Sequence, residues 1–161
     1  MTATDKNQAV IDFLLQCPAI YNNQLYFNFL NAQDESKQMI TQANDVALNK
    51  KYIDGSVLKR YTFTLVDFRS VVFQPLPKVE GYTSENVEEM LDVQGIIDWV
   101  NEKADAQEYP DFGENCFIDN MKTTSDNPNL NGVDTTVTPA LAKYSMSIQI
   151  DYIDTTKQIW N

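Results

Sequence analysis

Acidic side chains provide most of the chemical groups that this sequence could use for catalysis. Asp151 and Asp154 lie close together near the end of the chain, and a pair of carboxylates can serve as acid and base in glycoside hydrolysis. Asp151 alternates with apolar residues, so it falls on the polar face of a predicted strand. Because acidic side chains are seldom buried, we expect Asp151 to be a solvated charge with no catalytic role.

An asparagine-rich segment has part of the spacing of a calcium-binding loop. Asn127, Asn129 and Asn131 alternate, and Gly132 stands at the sixth position, as in an EF-hand. The twelfth position is Thr138, which lacks the bidentate carboxylate that the loop requires, and no helices flank the segment. We therefore expect no metal site here.

Other catalytic and cofactor motifs are absent from the sequence. The chain has no histidine. This excludes general-base catalysis by histidine, Ser-His-Asp and Cys-His nucleophile systems, and zinc sites of the HExxH type. Cys17 and Cys116 are far apart, form no CxxC pair and are expected to be free thiols. Asp111-Phe112-Gly113 matches a kinase triplet in letters only, and both phosphate-binding glycine motifs are missing. We predict that the protein is not an enzyme and uses no cofactor.

Charge is strongly unbalanced along this chain. It has 23 acidic and 12 basic residues and a formal net charge of −11, which argues against nucleic-acid binding. The same charge would let DNA pass the surface without being bound. Four of the few cations, Lys50, Lys51, Lys59 and Arg60, cluster around one predicted hairpin. They could protect a sheet edge from aggregation, or they could meet an acidic neighbour such as a second copy. Both interpretations remain open.

The stretch 46–73 is the predicted hairpin, and the rest of the chain is organised around it. Asp54-Gly55 separates two runs of β-branched and aromatic residues and favours a two-residue type I′ turn. Such a turn would place Tyr52 opposite Val57 and Ile53 opposite Ser56. The second arm, 57–73, has no Gly or Pro, so it could form an unusually long strand. A strand of this length tends to bend or to project beyond its own core.

Hydrophobic periodicity and turn residues predict the remaining elements. The segment 33–45 could be a strand, a short helix or a loop. The others are a helix at 5–16, a strand at 24–30, a main helix at 84–104, a short strand at 116–121, a long Asn/Thr/Asp-rich loop at 123–139 and a last strand at 142–152.

The main helix is expected to pack on the sheet through an apolar stripe. The stripe consists of Val87, Met90, Leu91, Val93, Ile96, Ile97, Trp99 and Val100. The elements together predict a single α+β domain over 1–161, with an antiparallel sheet, a long central hairpin and helices on one face. No signal peptide or membrane-spanning run is apparent, so we expect no membrane contact.

Three segments of this chain carry a resemblance to a known family. The first is the hairpin with Lys51-Tyr52-Ile53-Asp54-Gly55-Ser56 and the following Lys59-Arg60-Tyr61-Thr62-Phe63-Thr64-Leu65. The second is the end of the main helix, 96–100. The third is the closing strand, 142–152. In this order, across about 46–153, the segments resemble the tail-completion proteins of long-tailed bacteriophages of Gram-positive hosts, also called tail terminators or minor capsid proteins.

The resemblance implies a structural virion protein of the tail or neck, assembled in the cytoplasm of the bacterial host. Such a protein would form a ring, commonly a hexamer, at the head-proximal end of the tail tube. Its partners would be further copies of itself, the major tail tube protein and a head-completion or connector protein, with DNA passing through the lumen. We take Lys50, Lys51, Tyr52, Lys59 and Arg60 as the candidate subunit interface.

Two other functions fit the same sequence. A head–tail connector or stopper of the neck would share these features with a terminator. A small-molecule-binding α+β domain would instead need a cavity between the sheet and the helix at 84–104.

Overall fold

The computed structural model describes residues 3–20, 25–27, 35–41, 46–71, 76–81 and 84–156. Within them the chain forms the predicted α+β fold, with two helices and a seven-stranded sheet. The elements are α1 (Ala3–Leu14), β1 (Leu25–Phe27), β2 (Ser36–Thr41), β3 (Val46–Lys51), β4 (Val57–Ser70), α2 (Glu85–Asp105), β5 (Cys116–Thr123), β6 (Asn129–Asp134) and β7 (Leu141–Asp154).

Two 14-residue strands, β4 and β7, form the centre of the sheet. They pair antiparallel over their whole length, from Val57 opposite Asp154 to Ser70 opposite Leu141. Shorter strands flank this pair, with β2 and β3 on β4, and β5 and β6 on β7. The sheet is mixed and not purely antiparallel as predicted, because β1 runs parallel to β2. A parallel pair depends on how the chain returns between two strands, which alternation of apolar residues cannot reveal.

The main core lies between one face of this sheet and the two helices. The alternation predicted for the last strand is confirmed, since the even-numbered side chains of β7 from Ala142 to Tyr152 are buried. Val10, Phe13 and Leu14 of α1 belong to the same cluster. A smaller cluster of Val66, Phe68 and Leu141 forms separately, beside the partly buried Val137.

Both helices were placed correctly along the chain, with differences at their ends. α1 ends at Leu14 and not at 16, because Gln16 and Cys17 donate to carbonyls three residues back and tighten the last turn. α2 begins after Ser84, whose hydroxyl accepts a hydrogen bond from the Val87 backbone N–H at 3.2 Å, as expected for an N-cap.

The structure corrects or completes three further expectations from the sequence. Residues 129–134 lie in strand β6 and not in a loop; all six side chains are exposed, so pairing with β7 left no apolar pattern to detect. The undecided segment 33–45 contains strand β2, while 42–45 lie outside the described residues. The predicted strand at 24–30 is described only over 25–27, and Phe27 is 42% exposed instead of buried.

The apolar stripe of α2 packs on the sheet over only part of its length. Val93, Ile96, Ile97 and Val100 are fully buried. Val87, Met90 and Leu91, in the first two turns, are exposed instead, so this part of the prediction was wrong. The reason lies in the sheet below, where charged side chains replace apolar ones.

A buried polar cluster occupies the sheet beneath the start of α2. Lys37 and Asp67 are neighbours on β2 and β4, and their side chains are 3% and 1% exposed, with Nζ and Oδ2 3.8 Å apart. Arg69 on the same face of β4 reaches Glu89 at 2.7 Å and Asp92 at 2.8 Å. Burial raises the pKa of Asp67 to about 6, although Lys37 and Arg69 act to lower it. Because the folded-state pKa exceeds the unfolded one, ionised Asp67 costs stability as the pH rises above about 4.

We predict that Lys37→Met lowers the free energy of unfolding at pH 7 by about 3 kcal/mol, because buried Asp67 loses its nearest cation. The double variant Lys37→Met/Asp67→Leu should recover most of this loss. Urea unfolding of the four members of this cycle measures the coupling. Lys122→Met, which removes an exposed lysine, is the control and should stay within about 0.5 kcal/mol. A double variant as unstable as Lys37→Met would show that the loss of stability does not come from leaving Asp67 without Lys37.

Candidate functional site

The turn of the hairpin is held by backbone and side-chain hydrogen bonds. The Tyr52 N–H donates to the Ser56 carbonyl at 2.9 Å, and the Gly55 N–H donates to the Tyr52 carbonyl at 3.0 Å. Asp54 Oδ1 accepts from the Ser56 N–H at 3.0 Å and from the Ser56 hydroxyl at 2.6 Å. Gly55 has a φ of 92°, which is the left-handed conformation that glycine adopts readily. The aspartate and the glycine therefore both shape this turn.

The register of the hairpin differs by one residue from the predicted one. Tyr52 faces Ser56, and Lys51 pairs with Val57. A type I′ turn needs positive φ at both central residues, whereas only Gly55 of the Asp-Gly pair has it. The loop is thus the three-residue form, a turn followed by a left-handed glycine. Asp-Gly is compatible with either loop, so the sequence could not separate them.

Lys59 and Arg60 bind carboxylates of their own chain. Lys59 Nζ lies 2.7 Å from Asp154 Oδ2. Arg60 makes two hydrogen bonds to Asp151, at 2.8 and 3.2 Å. A bidentate pair of this kind fixes both side chains in one geometry. The ion pairs therefore tie β4 to β7 at the hairpin end of the sheet.

The two C-terminal aspartates are structural residues at this end of the sheet. Asp151 was predicted to be a solvated charge, which was wrong because its side chain is 15% exposed and held by Arg60. Burial acts to raise the pKa of Asp154, but hydrogen bonds from Lys59 and Thr156 outweigh it and lower that pKa to about 2. The partners are 91 and 95 residues apart along the chain, so spacing gave no signal for them.

The other members of the candidate interface lie on and beside β3. Lys50 and Lys51 are exposed, and Lys50 Nζ lies 5.2 Å from the centroid of the half-buried Tyr52 ring. Among the described strands, β3 pairs only with β4, so these lysines stand on an outer strand of the sheet. The positive charge available to a neighbour at this end thus comes from Lys50 and Lys51, since Lys59 and Arg60 are already paired.

Exposed apolar side chains accompany these lysines, and sequence reasoning missed them. Ile53 at the tip of the hairpin is 91% exposed, and Phe117 on β5 is 59% exposed. Phe117 and Ile153 contribute to a shallow cavity of about 300 Å³ that Tyr52 also lines. An isoleucine within a polar turn was the one signal in the sequence that could have indicated this surface.

A small-molecule site was expected to need a cavity between α2 and the sheet, where Val93, Ile96, Ile97 and Val100 of α2 are fully buried. A groove of about 510 Å³ lies elsewhere, between α1 and the end of α2. Asp12, Phe13 and Tyr109 contribute to its lining, and Lys103 is paired with Glu108 at 2.6 Å.

The described residues contain no cluster of three or more acidic or cysteine side chains placed to hold a metal ion. Asn129 and Asn131 lie in the extended strand β6, which is unlike the tight loop of an EF-hand. Cys17 and Cys116 are not joined in a disulfide. Among these residues, no helix has the length and apolar character needed to cross a membrane.

Comparison with protein-family models and with curated proteins found no match to this chain.

Asp154→Asn should lower the free energy of unfolding by about 2 kcal/mol at pH 7, because the ion pair with Lys59 is lost. The depressed pKa makes this contribution fully present above about pH 4, and about half of it should remain near pH 3. Chemical denaturation at several pH values measures the difference between wild type and variant. Asp119→Asn, which changes an exposed aspartate of β5, should show a much smaller difference. A loss of unfolding free energy that does not depend on pH between 3 and 7 would contradict a stabilising role for the ionised Asp154 side chain.

Proposed function

We propose that this protein is a structural component of a phage virion that forms a ring at the head-proximal end of the tail tube. The ring would stop tube polymerisation and join tail to head. The proposal rests first on the resemblance to tail-completion proteins. The segments that carry this resemblance lie in the hairpin β3–β4, in α2 and in β7, so they form one connected part of the fold.

The observation that carries the proposal furthest is the exposed tip of the hairpin. Side chains of β4 are buried at Tyr61, at Phe63 and from Leu65 to Arg69, while those of 57–60 are only half-buried. The tip beyond them exposes Ile53 almost completely. A neighbouring subunit could bury this exposed isoleucine.

The ion pairs at the hairpin end also suit an assembly role. Lys59–Asp154 and Arg60–Asp151 hold the projecting part of β4 against β7. A projecting element fixed in this way loses little conformational entropy when it binds a neighbour. We therefore assign Lys59 and Arg60 the task of positioning the hairpin, and Lys50, Lys51 and Tyr52 the contact itself.

The net charge of −11 supports a further part of the proposal. A ring lined by acidic side chains would repel the DNA that passes through it, so the DNA would not stick. A head–tail connector or stopper of the neck would need the same property and remains the alternative. The groove of about 510 Å³ beside α1 is the observation that favours a small-molecule-binding function.

The test uses tubes assembled from the major tail tube protein of a long-tailed phage of a Gram-positive host. We expect the purified protein to bind one end of each tube and to stop its growth, as seen by electron microscopy with a gold label. Binding along the tube walls, or no binding, would contradict the proposal.

We predict that replacing Tyr52–Ser56 by Asn-Gly abolishes tube capping. Lys51 and Val57 pair directly, so a two-residue turn can join them without disturbing the sheet. The melting temperature should fall by only a few degrees, because the residues removed lie outside the core. A variant that still caps tubes would exclude the hairpin tip from assembly.

A further inference from the structure

The first two turns of α2 present their apolar side chains to solvent. Val87, Met90 and Leu91 are 46%, 36% and 61% exposed. They follow the i, i+3, i+4 spacing that places side chains on one face of a helix. Glu89 lies on the inward face at this level and Asp92 at its exposed edge, and both bind Arg69 on β4. The ion pairs fix this orientation, so the helix cannot rotate its apolar face into the core without breaking them.

The exposed face has an acidic rim. Glu88 is exposed between the apolar residues, and the side chain of Asp92 is 69% exposed beyond Arg69. We call Val87, Glu88, Met90 and Leu91 the α2 patch. Its apolar centre and negative edge suit an apolar group that carries positive charge nearby.

The hairpin tip has the complementary composition. Ile53 is 91% exposed, and Lys50 and Lys51 are exposed beside it on β3. The tip therefore combines one apolar side chain with two cations, while Asp54 beside Ile53 accepts hydrogen bonds from Ser56. This composition matches the α2 patch in both respects.

The two surfaces lie toward opposite ends of β4. The tip adjoins Val57, whereas the α2 patch is anchored at Arg69, and 12 residues of strand span roughly 40 Å. A tip therefore cannot reach the patch of its own chain, and the contact must join two copies head to tail. Such heterologous contacts form a closed ring when the rotation between copies closes.

We propose that the hairpin tip of one copy binds the α2 patch of the next, with Ile53 against Met90 and Leu91 and with Lys50 and Lys51 beside Glu88. This inference rests on the proposed ring and specifies its subunit contact. Two copies joined through the same patch would bring Glu88 against Glu88, and two joined tips would bring lysines together. Like charges disfavour both alternatives.

Disulfide trapping tests this contact, with Cys116→Ser as the background for all variants. Ile53→Cys and Leu91→Cys chains are purified separately, then mixed and oxidised, both at high concentration and on tail tubes. We expect a covalent dimer from the mixture and little from either variant alone. Asp119→Cys, exposed on β5 near the hairpin end, is the control partner for Leu91→Cys and should not cross-link.

Charge reversal provides an independent readout. Lys50→Glu/Lys51→Glu should weaken self-association about tenfold, as two attractive contacts become repulsive. Adding Glu88→Lys to the same chain should recover most of the loss. Circular dichroism establishes that each variant is folded. Recovery by Glu102→Lys, which reverses an exposed charge near the end of α2, in place of Glu88→Lys would contradict the pairing.

Zero-length carbodiimide cross-linking applies the same test to the unmodified protein, so the outcome does not depend on the folding of any variant. We expect links from Lys50 or Lys51 to Glu88 between copies mixed from isotope-labelled and unlabelled protein. Absence of these links, or dominant tip-to-tip links, overturns the proposed contact even if the protein caps tubes. Head-to-tail links in a protein that ignores tail tubes would instead support the contact and contradict the tail function.

Discussion

The pairing of β4 with β7 is the constraint on which the rest of this structure depends. Fourteen consecutive residue pairs bring the middle of the chain against its C-terminal region. Their shared apolar face supplies much of the core against which the helices pack, and every other strand except β1 attaches directly to one of the two. The same pairing carries β4 beyond the core to the hairpin. Fold and proposed assembly surface therefore have a common origin.

Charge divides this long pair into regions with different tasks. At the hairpin end, Lys59 and Arg60 bind Asp154 and Asp151 and hold β4 against β7. Toward the other end, Arg69 binds Glu89 and Asp92 in the first turns of α2. That arrangement directs Glu89 toward the sheet and leaves the apolar side chains outward. In each region an internal ion pair leaves an apolar surface exposed, and the two surfaces have opposite charge.

The sequence predicted the parts of the fold that have one buried face. The last strand alternates strictly because Met146, Ile148 and Ile150 all enter the core, and the centre of α2 follows the same logic. Strand β6 could not be predicted because its side chains are all exposed. The outward turn of Leu91 depends on Arg69 beneath the helix, and the ion pairs of the hairpin join distant parts of the chain. Of the candidate interface, the sequence indicated the cations but not which of them are already paired.

The central claim is that copies of this chain close into a ring through the hairpin. Electron cryomicroscopy of tail tubes incubated with the protein tests it most directly. The account predicts a closed ring at one end of each tube, in which every hairpin tip contacts the first turns of α2 in the adjacent copy. A ring whose hairpin tips all point into solvent, or tubes decorated along their walls, would contradict it.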